Sequence, residues 1–323
     1  MADIICLGEA LIDFVAVEAE VSLEEANTFV KAAGGAPANV ACAAARLGVR
    51  SAFVGKVGDD PFGRFLADTF AKAGADTSRM IFDKEHRTGL AFVALGPGMV
   101  PDFTFFRNPS ADMTLTAEEL DHDFLRSARA FHYGSITLIS EPSRSATFAA
   151  IETAAQAGAM ISYDPNLRPS LWESLEQARA GITEGLSFAN ILKLSTEELS
   201  FITGVDDLDA AAWGLLDANP RLRVIFATMG EKGCLFWAEN GMGVVPGFKV
   251  EVVDTTGAGD GFAAAVLVEL LRKGYSAANL SGVPRPALAD ICRFANAVGA
   301  LSTTKKGAIA ALPTRGEAEK LLK

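Results

Sequence analysis

Cysteine and histidine are scarce in this chain of 323 residues, which holds four of the first and three of the second. Cys6, Cys42, Cys234 and Cys292 lie far apart with no CxxC pair, so neither a zinc ligand set nor a disulfide framework is expected, and the thiols read as buried and free. His86, His122 and His132 stand in no GxSxG context, which leaves a histidine-dependent hydrolase without a nucleophile. Long apolar runs are also missing. The longest, such as Phe262 to Leu271, fall short of a bilayer span, and the opening MADIICLGEALIDF carries no basic stretch of the kind that leads a secretory signal, so a cytoplasmic protein is expected. Positive charge is in deficit, with 29 Lys and Arg against 40 Asp and Glu for a net charge of -11 and a pI near 4.9. No basic cluster offsets it. Neither a nucleic-acid nor a membrane partner is expected, and an anionic ligand needs local help from helix ends or a bound cation. The P-loop pattern GxxxxGKS/T and a GxGxxG after a strand are both absent, which disfavours those two nucleotide-binding designs.

What is present is a soluble, core-forming composition, 50% apolar and 21% charged, with strand and helix signals in alternation. Apolar runs at Ile4 to Gly8, Ala52 to Val57, Ala130 to Tyr133, Met160 to Tyr163, Ile191 to Leu194 and Arg223 to Thr228 read as strands of a broad parallel sheet. Helices separate them. Asp60 and Pro61 open one that runs to Gly74, and Thr116 with Glu119 and Ser195 with Glu198 have capping-box spacing. Leu90 to Leu95 and Phe103 to Arg107, with Gly96, Pro97 and Gly98 between them, read as a hairpin outside this rhythm and as part of a lid.

The stretch DTTGAGDGF, Asp254 to Phe262, has the most chemistry. It lies between an alternating run, Phe248 to Val253, read as a strand, and a helix-like run, Ala263 to Leu271. Gly257 and Gly259 free the backbone N–H groups of a first helical turn to face an anion. Asp260 in that turn is either a proton acceptor for a hydroxyl beside the phosphate seat or ordinary complementation of the helix dipole. Other candidates carry the same double reading. Asp13 stands in apolar company past the first strand, as a ligand group or a turn residue. Asn39 in GGAPAN offers an amide to a polyhydroxylated ligand or caps a helix. Arg107 among Phe103, Phe105 and Phe106 suits a sugar site or a solvated lid edge. Asn166 and Arg168 in DPNLR follow a strand end, and Glu198 in STEEL is explained locally by its capping box.

Taken together, GGAPANVA at Gly34 to Ala41 and DTTGAGDGF at Asp254 to Phe262 closely resemble the two signatures of the PfkB, or ribokinase-like, sugar kinases. FFRNPSADM, DPNLR and KLSTEEL look most like the fructokinase members. The resemblance spans nearly the whole chain. It implies a single α/β domain over residues 1–323, a three-layer α/β/α sandwich with a small β-sheet lid from segments near 10–34 and 88–112, and transfer of the ATP γ-phosphate to a primary hydroxyl, with fructose the expected sugar. Under it Asp260 looks like the catalytic base and Gly257, Ala258 and Gly259 like the anion hole. Asp13, Gly34, Gly35, Asn39, Phe105, Arg107, Asn166 and Arg168 fall on the sugar side. Lys193, Thr228, Gly230, Gly257, Gly259 and Asn296 match nucleotide positions. Glu198 matches a residue that orders magnesium-bound water, and Asp254, Thr256 and the loop around Gly307 resemble a monovalent-cation site, with potassium the expected ion. Ser195 stands where many relatives carry Asn, which leaves that Asn role open. A 2-keto-3-deoxygluconate kinase or another sugar or nucleoside kinase is the alternative enzyme, a non-catalytic sugar- or nucleotide-binding regulator the alternative class. A homodimer is an assembly the family admits.

Overall fold

The computed structural model describes residues 2–18, 20–96 and 101–323. In chain order the strands are β1 Ile4–Leu7, β2 Leu11–Ala16, β3 Phe29–Gly34, β4 Ser51–Gly58, β5 Asp76–Asp83, β6 Gly89–Leu95, β7 Pro101–Phe106, β8 Ala130–Gly134, β9 Met160–Asp164, β10 Ile191–Ser195, β11 Val224–Thr228, β12 Cys234–Ala238 and β13 Gly241–Val245. The helices are α1 Ala36–Arg46, α2 Pro61–Ala73, α3 His122–Leu125, α4 Ser143–Gln156, α5 Leu175–Leu186, α6 Thr196–Thr203, α7 Leu208–Ala218, α8 Ala258–Arg272, α9 Arg285–Ser302, α10 Ala308–Ala311 and α11 Arg315–Leu321.

Nine strands form one sheet in the order β13-β12-β11-β10-β9-β8-β1-β4-β5, parallel except for the antiparallel β11–β12–β13 meander. Its inner strands are buried on both faces, so period-2 alternation sorts core side chains to opposite layers rather than to core and solvent. Ile4 and Cys6 point into a cluster with α1, α2, α8 and α9, whereas Ile5 and Leu7 point into a second with α4 to α7. Three layers result. On the first side α1 and α8 pack against each other, and both are rich in buried alanine, Ala41, Ala43 and Ala44 on one and Ala263 to Ala265 on the other, small side chains that let two helix axes approach closely. That contact sets Asn39 of α1 beside Asp260 of α8.

The second sheet has the order β3-β2-β6-β7 and grows from the C-terminal end of β1 through Gly8–Ala10. Register places Asp13 opposite Ala32 and Ala91, and Ala91 opposite Phe105, so Asp13 and Phe105 share one face. The hairpin read from sequence is the β6–β7 pair; Pro97 and Gly98 of its turn lie outside the described residues. Gly34 is required beneath this face, because any Cβ there collides with the Asp13 carboxylate.

One expected strand is not there. Phe248 to Val253 has no sheet partner and no regular secondary structure, with Val252 and Val253 more than half exposed and the Val253 N–H on the Thr303 carbonyl at 2.8 Å. Alternation alone, without a ladder partner, does not make a strand. The four thiols are free and buried, and among the described residues no helix is long and apolar enough to cross a membrane.

Asp60 joins the two sheets. It caps α2 through the N–H groups of Phe62 and Gly63, both at 2.9 Å, and takes the N–H and hydroxyl of Thr88 just before β6, again at 2.9 Å. Asp60→Ala leaves a helix cap and a buried N–H unpartnered at once, so urea unfolding is expected to show a loss of about 2–3 kcal/mol with an unchanged m-value. A loss below about 0.5 kcal/mol contradicts the junction role.

Candidate active site

The first turn of α8 is built for an anion. Gly257 caps it with φ +79°, and a Cβ there would stand 2.8 Å from that of Ala308, so both conformation and space demand glycine. A Cβ on Gly259 would lie 2.7 Å from the Lys193 Nζ, which brings that ammonium against the turn. The Ala258 N–H reaches back to the Thr255 carbonyl at 3.3 Å, a long bond that leaves it weakly engaged. The helix dipole and the lysine both favour negative charge at this point.

Asp260 is buried in the same turn, 8% exposed, and its Oδ2 accepts from Asn39 Nδ2 at 2.8 Å. Burial first, and the neighbouring Asp164 carboxylate second, push its pKa up to about 6; the Asn39 hydrogen bond, Lys193 and Arg168 hold it back. Asn39 is therefore an interior helical residue and not a cap. Lys193 is paired with Asp164 at 2.7 Å; burial works against its charge, but the carboxylates of Asp164 and Glu198 outweigh that and hold its pKa above the usual lysine value. Asp164, which the sequence reading passed over within DPNLR, also accepts the Asn166 N–H at 3.2 Å. That bond goes with a left-handed Asn166, φ +44°, an Asx-type turn that sends the chain round toward Arg168.

Asp13 faces the same space. Burial first raises its pKa to about 7, and Asp260 and Asp254 add to the rise against Arg168. Asp13, Asp260 and Arg168 thus feel one another's charge. The Arg168 guanidinium also lies 5.9 Å from the Phe103 ring, linking the large sheet to β7. Phe105 stacks on Phe103 at 6.1 Å. Arg107 is not the solvated lid edge that was one of its two readings. Its side chain is 5% exposed and pairs with Asp112, whose other oxygen takes the Ser110 hydroxyl.

The remaining candidates hold backbone. Both Glu198 oxygens accept main-chain N–H groups, from Leu167 and Ser195 at 2.7 Å, so its capping box is made; burial and then Asp164 raise its pKa. Asn296 donates to the carbonyls of Val245 and Pro246, each at 3.1 Å, and Thr228 to that of Leu194 at 3.3 Å. Gly230 adopts φ +57° in the turn after β11. Asp254 takes the Thr256 N–H and hydroxyl on one oxygen and the Gly307 N–H, at 2.8 Å, on the other, tying two loops together beneath Gly257. Among the described residues no three His, Cys, Asp or Glu side chains gather as a metal site.

A family model described as pfkB family carbohydrate kinase matches residues 1–315. Fructokinase-1 of Zea mays is 48% identical over 323 residues, which cover 99% of this chain and 97% of that protein. Among solved structures, a fructokinase with bound ATP from Xylella fastidiosa has a TM-score of 0.91 at 35% identity, covering 100% of this chain and 98% of that one. A fructokinase double mutant from Vibrio cholerae O395, in fructose, ADP and potassium ion bound form, has a TM-score of 0.86 at 34% identity, covering 100% and 99%.

The raised Asp260 pKa predicts a pH-dependent stability. A carboxyl that binds its proton more tightly folded than unfolded contributes stability that is full below its ordinary value of 3.8 and is lost as pH rises through about 6. Asp260→Asn carries no charge to bury, so its melting temperature is expected to exceed the wild type's at pH 8, by an excess that shrinks at pH 5. An excess that is the same at both pH values contradicts the raised pKa.

Proposed function

The chain belongs to the pfkB family of carbohydrate kinases; it is a sugar kinase that uses ATP, with fructose as its sugar, and we propose that Asp260 takes the proton from the sugar's primary hydroxyl as the γ-phosphoryl group arrives. The observation that supports this most is the placing of one buried carboxylate, oriented by Asn39 and with a pKa near 6, inside a glycine turn that otherwise attracts anions. A base with that pKa is ionised at neutral pH yet still proton-seeking.

The other residues divide the work. Asp13 and the Gly34–Gly35 backbone hold sugar hydroxyls, and Phe105 on the shared face of the small sheet covers the ring as a lid. Arg168 steadies the two carboxylates and meets the incoming negative charge. The N–H groups of the Gly257 to Gly259 turn, with Lys193 behind them, stabilise charge on the transferred group. Thr228, Gly230 and Asn296 shape the nucleotide's seat, Asn296 by holding the Val245–Pro246 carbonyls in place. Magnesium, when bound with ATP, neutralises phosphate charge. The donor set fits an ion held mainly by phosphates and water, since both Glu198 oxygens are engaged by backbone and Glu198 and Asp164 act as nearby negative charge. Asp254, Thr256 and the Gly307 loop, tied together by the Gly307 N–H on Asp254, would hold a potassium ion, whose charge would favour negative charge at the Gly257 turn.

Asp260→Asn keeps the side chain's size and polarity and removes the acceptor. With coupled ADP release as the readout, kcat on fructose is expected to fall about 10²- to 10⁴-fold with both KM values little changed. Retention of more than about a tenth of wild-type kcat contradicts the base assignment. The same assay across fructose, 2-keto-3-deoxygluconate, ribose and a nucleoside is expected to rank fructose first by kcat/KM. Turnover is expected to rise with potassium at constant ionic strength; equal rates in potassium, sodium and tetramethylammonium contradict the cation site.

A further inference from the structure

Glu9 lies in the Gly8–Ala10 link by which the chain passes from the large sheet to the small one, and it is 2% exposed. Its Oε1 accepts the Ala36 N–H at 2.9 Å, and its Oε2 has no hydrogen-bond partner. Ala36 opens α1. The preceding Gly35, at φ +113°, has no side chain to cap that helix, any Cβ on it would strike the Glu9 carbonyl, and α1 has no acidic residue in its own first turn. Glu9 thus supplies from 27 residues away the carboxylate that helix starts usually draw from their own cap.

The consequence runs along α1. Asn39 stands three residues past Ala36, one turn on, and donates its own N–H to the Gly35 carbonyl at 2.9 Å. Its side-chain amide has one partner, Asp260, and its Oδ1 is buried without any. Nothing else bonded to that amide fixes its direction, so where it points is set by where the start of α1 sits. We propose that Glu9 is a positioning residue for phosphoryl transfer: by holding the first N–H of α1 it places Asn39, and through Asn39 it sets the orientation and proton affinity of Asp260. This rests on the reading of Asp260 as the base.

The groups facing Glu9 fit this role. Arg107 and Asp112 lie near it from the segment after β7, but the guanidinium is paired with Asp112, so Glu9 answers chiefly to the helix start. Burial raises its own pKa to about 7, in keeping with a carboxyl whose second oxygen is unpartnered.

The test is the acid limb of the kcat–pH profile on fructose, because the Asn39 hydrogen bond holds the Asp260 pKa down. Asn39→Ala and Glu9→Ala are each expected to move that limb up by about 0.5–1 pH unit. The double variant is expected to move it no further, as two members of one chain of contacts do. Glu9→Gln keeps an acceptor for Ala36 and is expected to return the limb to its wild-type place. Ala36→Pro deletes the same N–H at a helix position that tolerates proline, and is expected to match Glu9→Ala; it decides the matter if Glu9→Ala does not fold. A limb that moves in Asn39→Ala but stays put in both Glu9→Ala and Ala36→Pro overturns the inference alone, as does a lowered melting temperature with an unmoved limb. Shifts that add in the double variant overturn it too. A limb unmoved by Asn39→Ala removes Asp260 as the titrating base, and the inference falls with it.

Discussion

Everything at this site follows from keeping one carboxylate out of water at the start of a helix. Burial alone would neutralise Asp260, and a fully solvated Asp260 would be a weak base. The balance is struck by Asn39 on one side and by Lys193 and Arg168 on the other, against the opposing charge of Asp164. Those partners come from α1, β10 and the turn after β9, so the three-layer fold is what brings them together. Close packing of α1 on α8, both rich in buried alanine, is the mechanical condition: forcing the two helices apart would separate Asn39 from Asp260 before it changed any charge.

The second condition is glycine where backbone and ligand compete for the same space. Gly257 permits the left-handed turn under Ala308, Gly259 leaves room for the Lys193 ammonium, and Gly34 leaves room for Asp13. At Gly259 and Gly34 a methyl group would displace a charged group rather than merely strain a loop; at Gly257 it would strike Ala308 and sit at a φ that favours glycine. In an acidic protein with no P-loop, the proposed phosphoryl transfer would rely on such openings, beside one buried lysine and one arginine, to meet negative charge on the transferred group.

Much of this could be read before the fold was seen, because the strongest signals are local. Short apolar runs marked the inner strands, the hairpin of β6 and β7 stood outside the βα rhythm, and both capping boxes formed as spaced. What failed depended on distant partners. Phe248 to Val253 alternates like a strand but pairs with none; the solvated reading of Arg107 gives way to its pair with Asp112, and the cap reading of Asn39 to Glu9, which holds the start of that helix. Glu9 itself was invisible, a single acid in GEALIDF whose partner is 27 residues away. The role of Glu198 was legible as a cap from Ser195 alone, and the backbone bonds agree with that reading.

The central claim is that Asp260 is a carboxylate with its proton affinity raised by burial and held in check by Asn39. The most direct measurement is a ¹³C NMR titration of aspartate carboxyl carbons in the ligand-free protein, with the Asp260 signal identified by its loss in Asp260→Asn. The account predicts a midpoint near 6. A midpoint near the ordinary 3.8 would contradict it, since the proton affinity would then not be raised and the carboxylate would be a weak base at neutral pH.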